Sequence, residues 1–378
     1  IIHEVLWSEA LPWWLLFRAA GAAFAPTVIL LALLGGLATW AGWSIADSLR
    51  LSGSAPAADA IRDATLSSGP ALPGPDGSGA INALRPSRTL PLLEAAWKWI
   101  PRPAADVLEL VAIPFRPAAT LAQLGGALAR IGWFVLVSSI FGTAITRHVA
   151  LKLVGEEAPG LLGSVLYGAR AWLAAFNSVV FVLLGILALA VPGALLGLLM
   201  RADWGLAVAG AIWPLVLAGA VVLAILAIGL VAGWPLMLAA VGVERGDSFQ
   251  AISTSFSYLY QRPLHYAFYA VVAAVVALPA FAAAGLFADV TSALALWATS
   301  FGMGHDRTLA VLEGVQSLGD APWGIRALAF WARGLESMLA SFGWGYFWAI
   351  ATAAYMLLRH DVDGTELDEV VIDEPGAS

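Results

Sequence analysis

WGLAVAGAIWPLVLAGAVVLAILAIGLVAGWPLMLAAVGV, residues 204–243, contains no Asp, Glu, Lys or Arg. About 20 apolar residues suffice to cross the hydrocarbon core of a bilayer, so this run decides the class of the molecule. Similar uncharged runs occupy residues 19–46, 131–146, 171–200, 263–288 and 337–358. Together they predict an all-α integral membrane protein. It would have about six transmembrane helices and several interfacial amphipathic helices.

Composition agrees. Hydrophobic residues make up 60% of the chain and charged residues 12%, with mean hydropathy +0.83; a soluble domain carries about 25% charged residues. Many of the 17 Trp sit near the ends of apolar runs, among them Trp13, Trp14, Trp40, Trp43, Trp172, Trp204, Trp344 and Trp348. Indoles at headgroup level form the aromatic belt of a membrane protein. A net charge of −7 and a pI near 5.2 argue against nucleic acid, which needs clustered Lys and Arg. With no cysteine, disulfides, thiolate metal sites and a Cys nucleophile are excluded.

The 40-residue run would be about 60 Å long as one straight helix, against a hydrocarbon core of about 30 Å. It reads as one tilted helix, as a helix kinked at Trp213-Pro214 or Gly233-Trp234-Pro235, or as two spans with a hairpin. Residues 218–229 (AGAVVLAILAIG) offer no polar turn. We therefore expect a long kinked fourth span at 205–243, with Pro235 at the kink. Outward from it, spans are expected at 24–43, 127–149, 172–195, 264–287 and 337–358. In the first, Pro26 falls where a missing N–H costs least. Arg130 and Arg147 should snorkel from the ends of the second.

The connections are amphipathic. Residues 1–18 read as an interfacial helix with Glu4 and Glu9 on its polar face. Residues 44–120 form the longest non-spanning region. Its centre, 67–79, is Gly/Pro/Ser-rich and flexible, and its later part holds two short helices that suit the interface or a docked partner. Residues 151–170 are a short amphipathic connection. In residues 244–262, Asp247 followed by Gln250 resembles a capping box, so a helix should start there. Its Phe249, Ile252, Phe256 and Leu259 should face the bundle or the membrane. Residues 288–336 are a loop with helices at 307–318 and from Pro322, and 359–378 an acidic tail. Arg18, Arg147, Lys152, Arg170, Arg245, Arg262 and Arg359 would share one side, with only Arg201 in the short opposite connection. The positive-inside rule then puts both termini in the cytoplasm, with a bacterial inner membrane as the expected address. The connections at 155–171 and 242–262 look alike and hint at two repeated span–amphipathic–span units.

The stretch GWPLMLAAVGVERGDSFQAISTSFSYLYQRPLHYAFYA, residues 233–270, carries Glu244, then Ser253, Ser255 and Ser257, then the corner Tyr260-Gln-Arg262-Pro263. On these features it resembles segments of bacterial six-span membrane protein families. Those are similar in layout to the membrane domain that precedes some bacterial glycerophosphodiester phosphodiesterases. The resemblance covers roughly residues 142–288. It implies a fold and a membrane address and no activity, because the phosphodiesterase catalytic domain has no counterpart here.

Chemistry is sparse. His3, His148, His265, His305 and His360 include no pair at helical metal-site spacing. No GxxxxGK[ST], GxSxG or HExxH occurs, so we expect no enzyme activity, no cofactor and no metal. The spans carry almost no ionisable residues, which normally mark ion pathways. Asn177, Ser138, Ser139 and Thr143 are their notable polar groups, suited to helix–helix hydrogen bonds of about 0.6 kcal/mol each or to a substrate. Glu244, Arg245, Asp247 and Arg262 form the best polar cluster. They suit a local capping and salt-bridge network, or contact with a lipid head group or partner loop. The tail DVDGTELDEVVIDE lacks the EF-hand ligand order. It reads as solvated, or as a strand added to a cytoplasmic partner. The expected function is that of an accessory or scaffold subunit packed among membrane lipids and other membrane protein subunits. The alternative is a permease or lipid-handling protein for an uncharged or amphipathic substrate.

Overall fold

The computed structural model describes residues 11–49, 110, 121–316, 322–367 and 369–370. Among them the regular structure is entirely helical. A 3₁₀ turn, Pro12–Trp14, leads into α1 (Leu15–Ala23). There follow α2 (Pro26–Ser48), α3 (Leu121–Val154), α4 (Leu161–Leu199), α5 (Asp203–Glu244), α6 (Ser248–Gln261), α7 (Pro263–Met303), α8 (His305–Gln316) and α9 (Trp323–Asp363). Five of these, α2 to α5 and α7, are long and apolar enough to cross a membrane.

The sixth expected span, residues 337–358, lies inside α9, which is not among the five. The reason is its composition, since Ser, Gly, Trp and Tyr make SMLASFGWGYFWAIATAAYMLL less apolar than the other five. Trp348, Ala349, Ala353, Ala354, Tyr355, Leu357 and Leu358 are buried against protein, where small and aromatic residues pack well without a strongly apolar, lipid-facing surface.

Helices run further than the charge pattern suggested. The connection expected at 151–170 is not a separate helix: residues 161–170 are the start of α4, and only 155–160 break the chain. The loop expected at 288–336 is likewise mostly helix. The fifth span continues to Met303, and the helix from Trp323 runs without a break to Asp363. The first helix does not close at Arg18, since α1 continues to Ala23 and breaks at Phe24-Ala25. Isolated charges such as Asp289 or Arg326 do not stop a helix; a turn-former does, as at Gly304 with φ +76°. α5 is one helix through both Pro214 and Pro235, which removes the two-span reading. The expected features at 1–10, 67–79 and 371–378, and the helices placed before residue 110, lie outside the described residues.

The chain divides into two compact units, with boundaries inside α2, α3, α7 and α9. Unit 1 comprises Ile1–Leu31, Val135–Ala273 and Phe347–Ser378. Its frame is the antiparallel hairpin of α4 and α5, closed by a short turn at Arg201 and Ala202. Tyr167 Oη donates to the Val241 carbonyl at 2.9 Å across the hairpin's base. The end of α3 packs against α4 so closely that a Cβ on Gly168 would lie 2.1 Å from the Ile140 carbonyl oxygen. Only glycine permits that approach. Trp234 of α5 meets Trp348 of α9 edge to face, ring centroids 5.2 Å apart.

α6 lies across this hairpin. Phe249 stacks on Phe181 of α4, Phe256 covers Gly229 of α5, where a Cβ would be 2.4 Å from its ring, and Tyr260 Oη donates to the Ile225 carbonyl. The expected apolar face is thus split. Leu259 is buried, Phe256 packs on the hairpin, and Phe249 stays 69% exposed. The side turned inward is more polar, with Ser248, Ser255 and Tyr258 buried. The two connections that looked like a repeat differ in structure, since one continues into α4 and the other is a separate helix.

Unit 2 comprises Ala32–Phe134 and Ala274–Tyr346. In it α2 and α3 are tied by indole donors: Trp43 to the Arg130 carbonyl at 3.1 Å and Trp133 to the Ala38 carbonyl at 2.9 Å. Phe281 of α7 packs edge-on against Phe342 and Tyr346 of α9. Arg130 does not snorkel. It is buried and paired with Asp47, because an ion partner one helix away removes the need to reach headgroups. Arg147, in unit 1, is also buried, with its guanidinium 5.4 Å from the centre of the Tyr167 ring.

Candidate functional site at the end of α5

The sequence builds the corner between α5 and α6 from three successive local choices. Arg245 ends α5 in the left-handed region at φ 59°, and its N–H bonds to the Val241 carbonyl at 3.1 Å. A side chain in that region is strained. At Gly246 a Cβ would lie 2.7 Å from Gln250 Oε1, so glycine leaves room for that side chain. Asp247 caps α6, its carboxylate accepting from the Gln250 N–H at 2.8 Å, as an N-cap should. The other half of a capping box is missing: the Gln250 side chain turns away from the Asp247 backbone and donates to Glu244 Oε2 at 3.0 Å.

Glu244 is the centre. Besides Gln250, it accepts from Tyr355 Oη at 2.5 Å, and Arg359 Nη1 lies 3.6 Å from its Oε1. The Tyr355 ring packs against that of Tyr258, centroids 5.5 Å apart, and the Tyr258 hydroxyl donates to Asp363. Tyr269 of α7 donates to Asp361 at 2.7 Å. Arg359 also donates to the Glu369 carbonyl. The side chains of α5, α6 and α9 therefore meet in one network of phenols, carboxylates and a guanidinium, and the Tyr269–Asp361 pair ties α7 to the same end of α9. Burial, followed by the hydrogen bond to Asp363 and that residue's charge, pushes the Tyr258 phenol well above its ordinary value. It stays a neutral donor throughout the physiological pH range.

Of the residues singled out from sequence, Glu244 and Asp247 share this corner, joined through Gln250. Arg245 stands beside it, its guanidinium 6.0 Å from the centre of the Tyr167 ring. Arg262 is not with them. It is exposed at the far end of the 14-residue α6, about 20 Å away along the helix. Asn177 sits half-buried within α4. Sequence reasoning missed Tyr258, Tyr269, Tyr355 and Asp363, and placed Arg359 only at the end of a span. The local signal was a tyrosine near a helix end facing acids more than 90 positions away, and a sequence pattern does not pair such positions.

Of the polar groups expected to matter in the spans, Ser139 is spent locally, while the buried Thr143 hydroxyl has no hydrogen-bond partner; several other hydroxyls also bond locally. Ser139 donates to Val135, Ser178 to Ala175 and Thr352 to Trp348, each three or four residues back on its own helix. Thr146 reaches both Thr143 and, at 3.4 Å, the Leu238 carbonyl of α5. His148 and His265 have separate surroundings. His148 Nδ1 is 3.0 Å from the Pro159 carbonyl, while the His265 ring packs on Tyr269. Among the described residues no group of three or more His, Asp or Glu is placed to hold a metal ion. No family model, curated protein or solved structure matches the chain.

Proposed function

We propose that this chain is a non-enzymatic accessory or scaffold subunit of a larger membrane assembly. In this reading it crosses a bacterial inner membrane about six times, with residues 337–358 as the sixth span and both termini in the cytoplasm. The layout shared with the six-span families named above belongs to the same reading. The observation that carries it is the contrast within unit 1. Ser139, Ser178 and Thr352 turn their hydroxyls back onto their own helices, while the distal parts of α4 and α5 leave many apolar side chains exposed. Leu184, Leu195, Leu206, Leu215 and Val221 are all exposed there, a surface suited to lipid and to the helices of other subunits.

A second reading, a permease for an uncharged or amphipathic substrate, draws on Thr143 and Ser255. Their hydroxyls are buried with no hydrogen-bond partner, a costly state that a bound polar group would relieve. Mild-detergent extraction of the protein from its native membrane, with size analysis and mass spectrometry of what co-purifies, tests the choice. A stoichiometric complex is the expected result. A lone protein, or one carrying only lipid, overturns the scaffold reading and turns attention to Thr143 and Ser255.

A further inference from the structure

The end of α9 is built against its own electrostatics. A helix C-terminus carries partial negative charge, yet Asp361 and Asp363 both fall in the last turn of α9. Arg359 and His360 stand beside them on the same helix but are engaged elsewhere, Arg359 with Glu244 and the Glu369 carbonyl and His360 with the Thr365 carbonyl. Each carboxylate is held by a phenol from another helix, Asp363 by Tyr258 of α6 and Asp361 by Tyr269 of α7. Beyond them Gly364 turns the chain at φ +68°, and the following residues fold back. The Thr365 carbonyl lies 2.9 Å from His360 Nδ1, the Glu369 carbonyl accepts from Arg359, and the Val370 side chain is buried. Glu366 and Glu369, between these points, stay exposed. The segment is thus fastened at a few points and otherwise open to water, the profile of a region that opens locally ahead of the core.

We propose that the last turn of α9, with residues 364–367 and 369–370, is a latch. Closed, it clamps α6 and α7 to α9 and covers the Arg359–Glu244 pair. It opens by fraying of that turn, which releases Tyr258 and Tyr269 together and uncovers Arg359.

The absence of native cysteine makes the test direct. Val370→Cys, Glu366→Cys and Leu358→Cys are introduced singly into the full chain in mild-detergent micelles, and maleimide labelling rates are compared. Val370→Cys should label about tenfold more slowly than Glu366→Cys yet go to completion, while Leu358→Cys, in the core, stays unlabelled. Adding Tyr258→Phe with Tyr269→Phe should bring the Val370→Cys rate within about twofold of Glu366→Cys. If that pair disturbs the fold, seen as Leu358→Cys becoming reactive, Asp361→Ala with Asp363→Ala removes the same bonds from the exposed side and decides the matter. Three outcomes overturn the latch: equal rates at 370 and 366 without further change, no labelling at 370, or undiminished protection at 370 once the phenol–carboxylate bonds are gone.

Discussion

Residues 206–231 and 236–243 of α5 are alike in sequence, both uncharged and rich in Leu, Val, Ala and Gly, and opposite in environment. Leu215 is 73% exposed and Leu238 is fully buried. Hydropathy reports that both parts avoid water and is silent on whether lipid or protein replaces it. What separates them is the neighbour. The second part meets Tyr167 and Thr146 from other helices; the first has α4 beside it and meets α6 only near its end, at Ile225 and Gly229.

The sharpest way to break this comparison is to cut the same side chain in both parts. Leu238→Ala should cost about 2–5 kcal/mol, the range for a buried leucine that leaves a cavity, measured by denaturant titration in mild detergent. A loss near zero would mean that this part is not packed as described. Next in size is Tyr355→Phe. It removes a charge-assisted donor from Glu244 and should cost about 2 kcal/mol in the same titration. Gly229→Ala tests the border between the two parts. Its new methyl meets the Phe256 ring, which rotation relieves in part, so about 1–2 kcal/mol is expected, with freer trypsin cleavage after Arg245, at the start of α6, as that helix loosens. Smallest is Leu215→Ala, which should stay within about 0.5 kcal/mol for the isolated protein. In the native membrane it should weaken co-purification of a partner if the scaffold reading holds.

Much of the architecture was legible before any coordinates. Runs without charge identify long helices wherever they occur, and Asp247 followed by Gln250 marked the start of α6 because a cap is a local event. Helix ends were harder. Asp289 and Arg359 look like boundaries, but a charged side chain at a helix surface does not break the backbone pattern, whereas the left-handed turns at Gly155, Arg245, Gly304 and Gly364 do. The buried arginines were misread for a related reason. Arg130 stands near the end of an expected span, which suggests headgroups, and Asp47 pairs with it from another helix. The polar centre was half legible. Glu244 stood out as an acid at a corner, but its strongest partners, Tyr355 and Arg359, come from the last helix of the chain.

That separation sets a schedule for biosynthesis. Glu244 and the tyrosine that holds it are 111 positions apart. At ribosomal speeds of about 5–20 residues per second, roughly 5–20 s pass between their emergence. During that interval the α4/α5 hairpin is complete while one of its ends carries a carboxylate lacking both its phenol and its guanidinium. The nascent corner has to stay in water until α9 arrives, so a segment translated long after the hairpin is the one that seals its end.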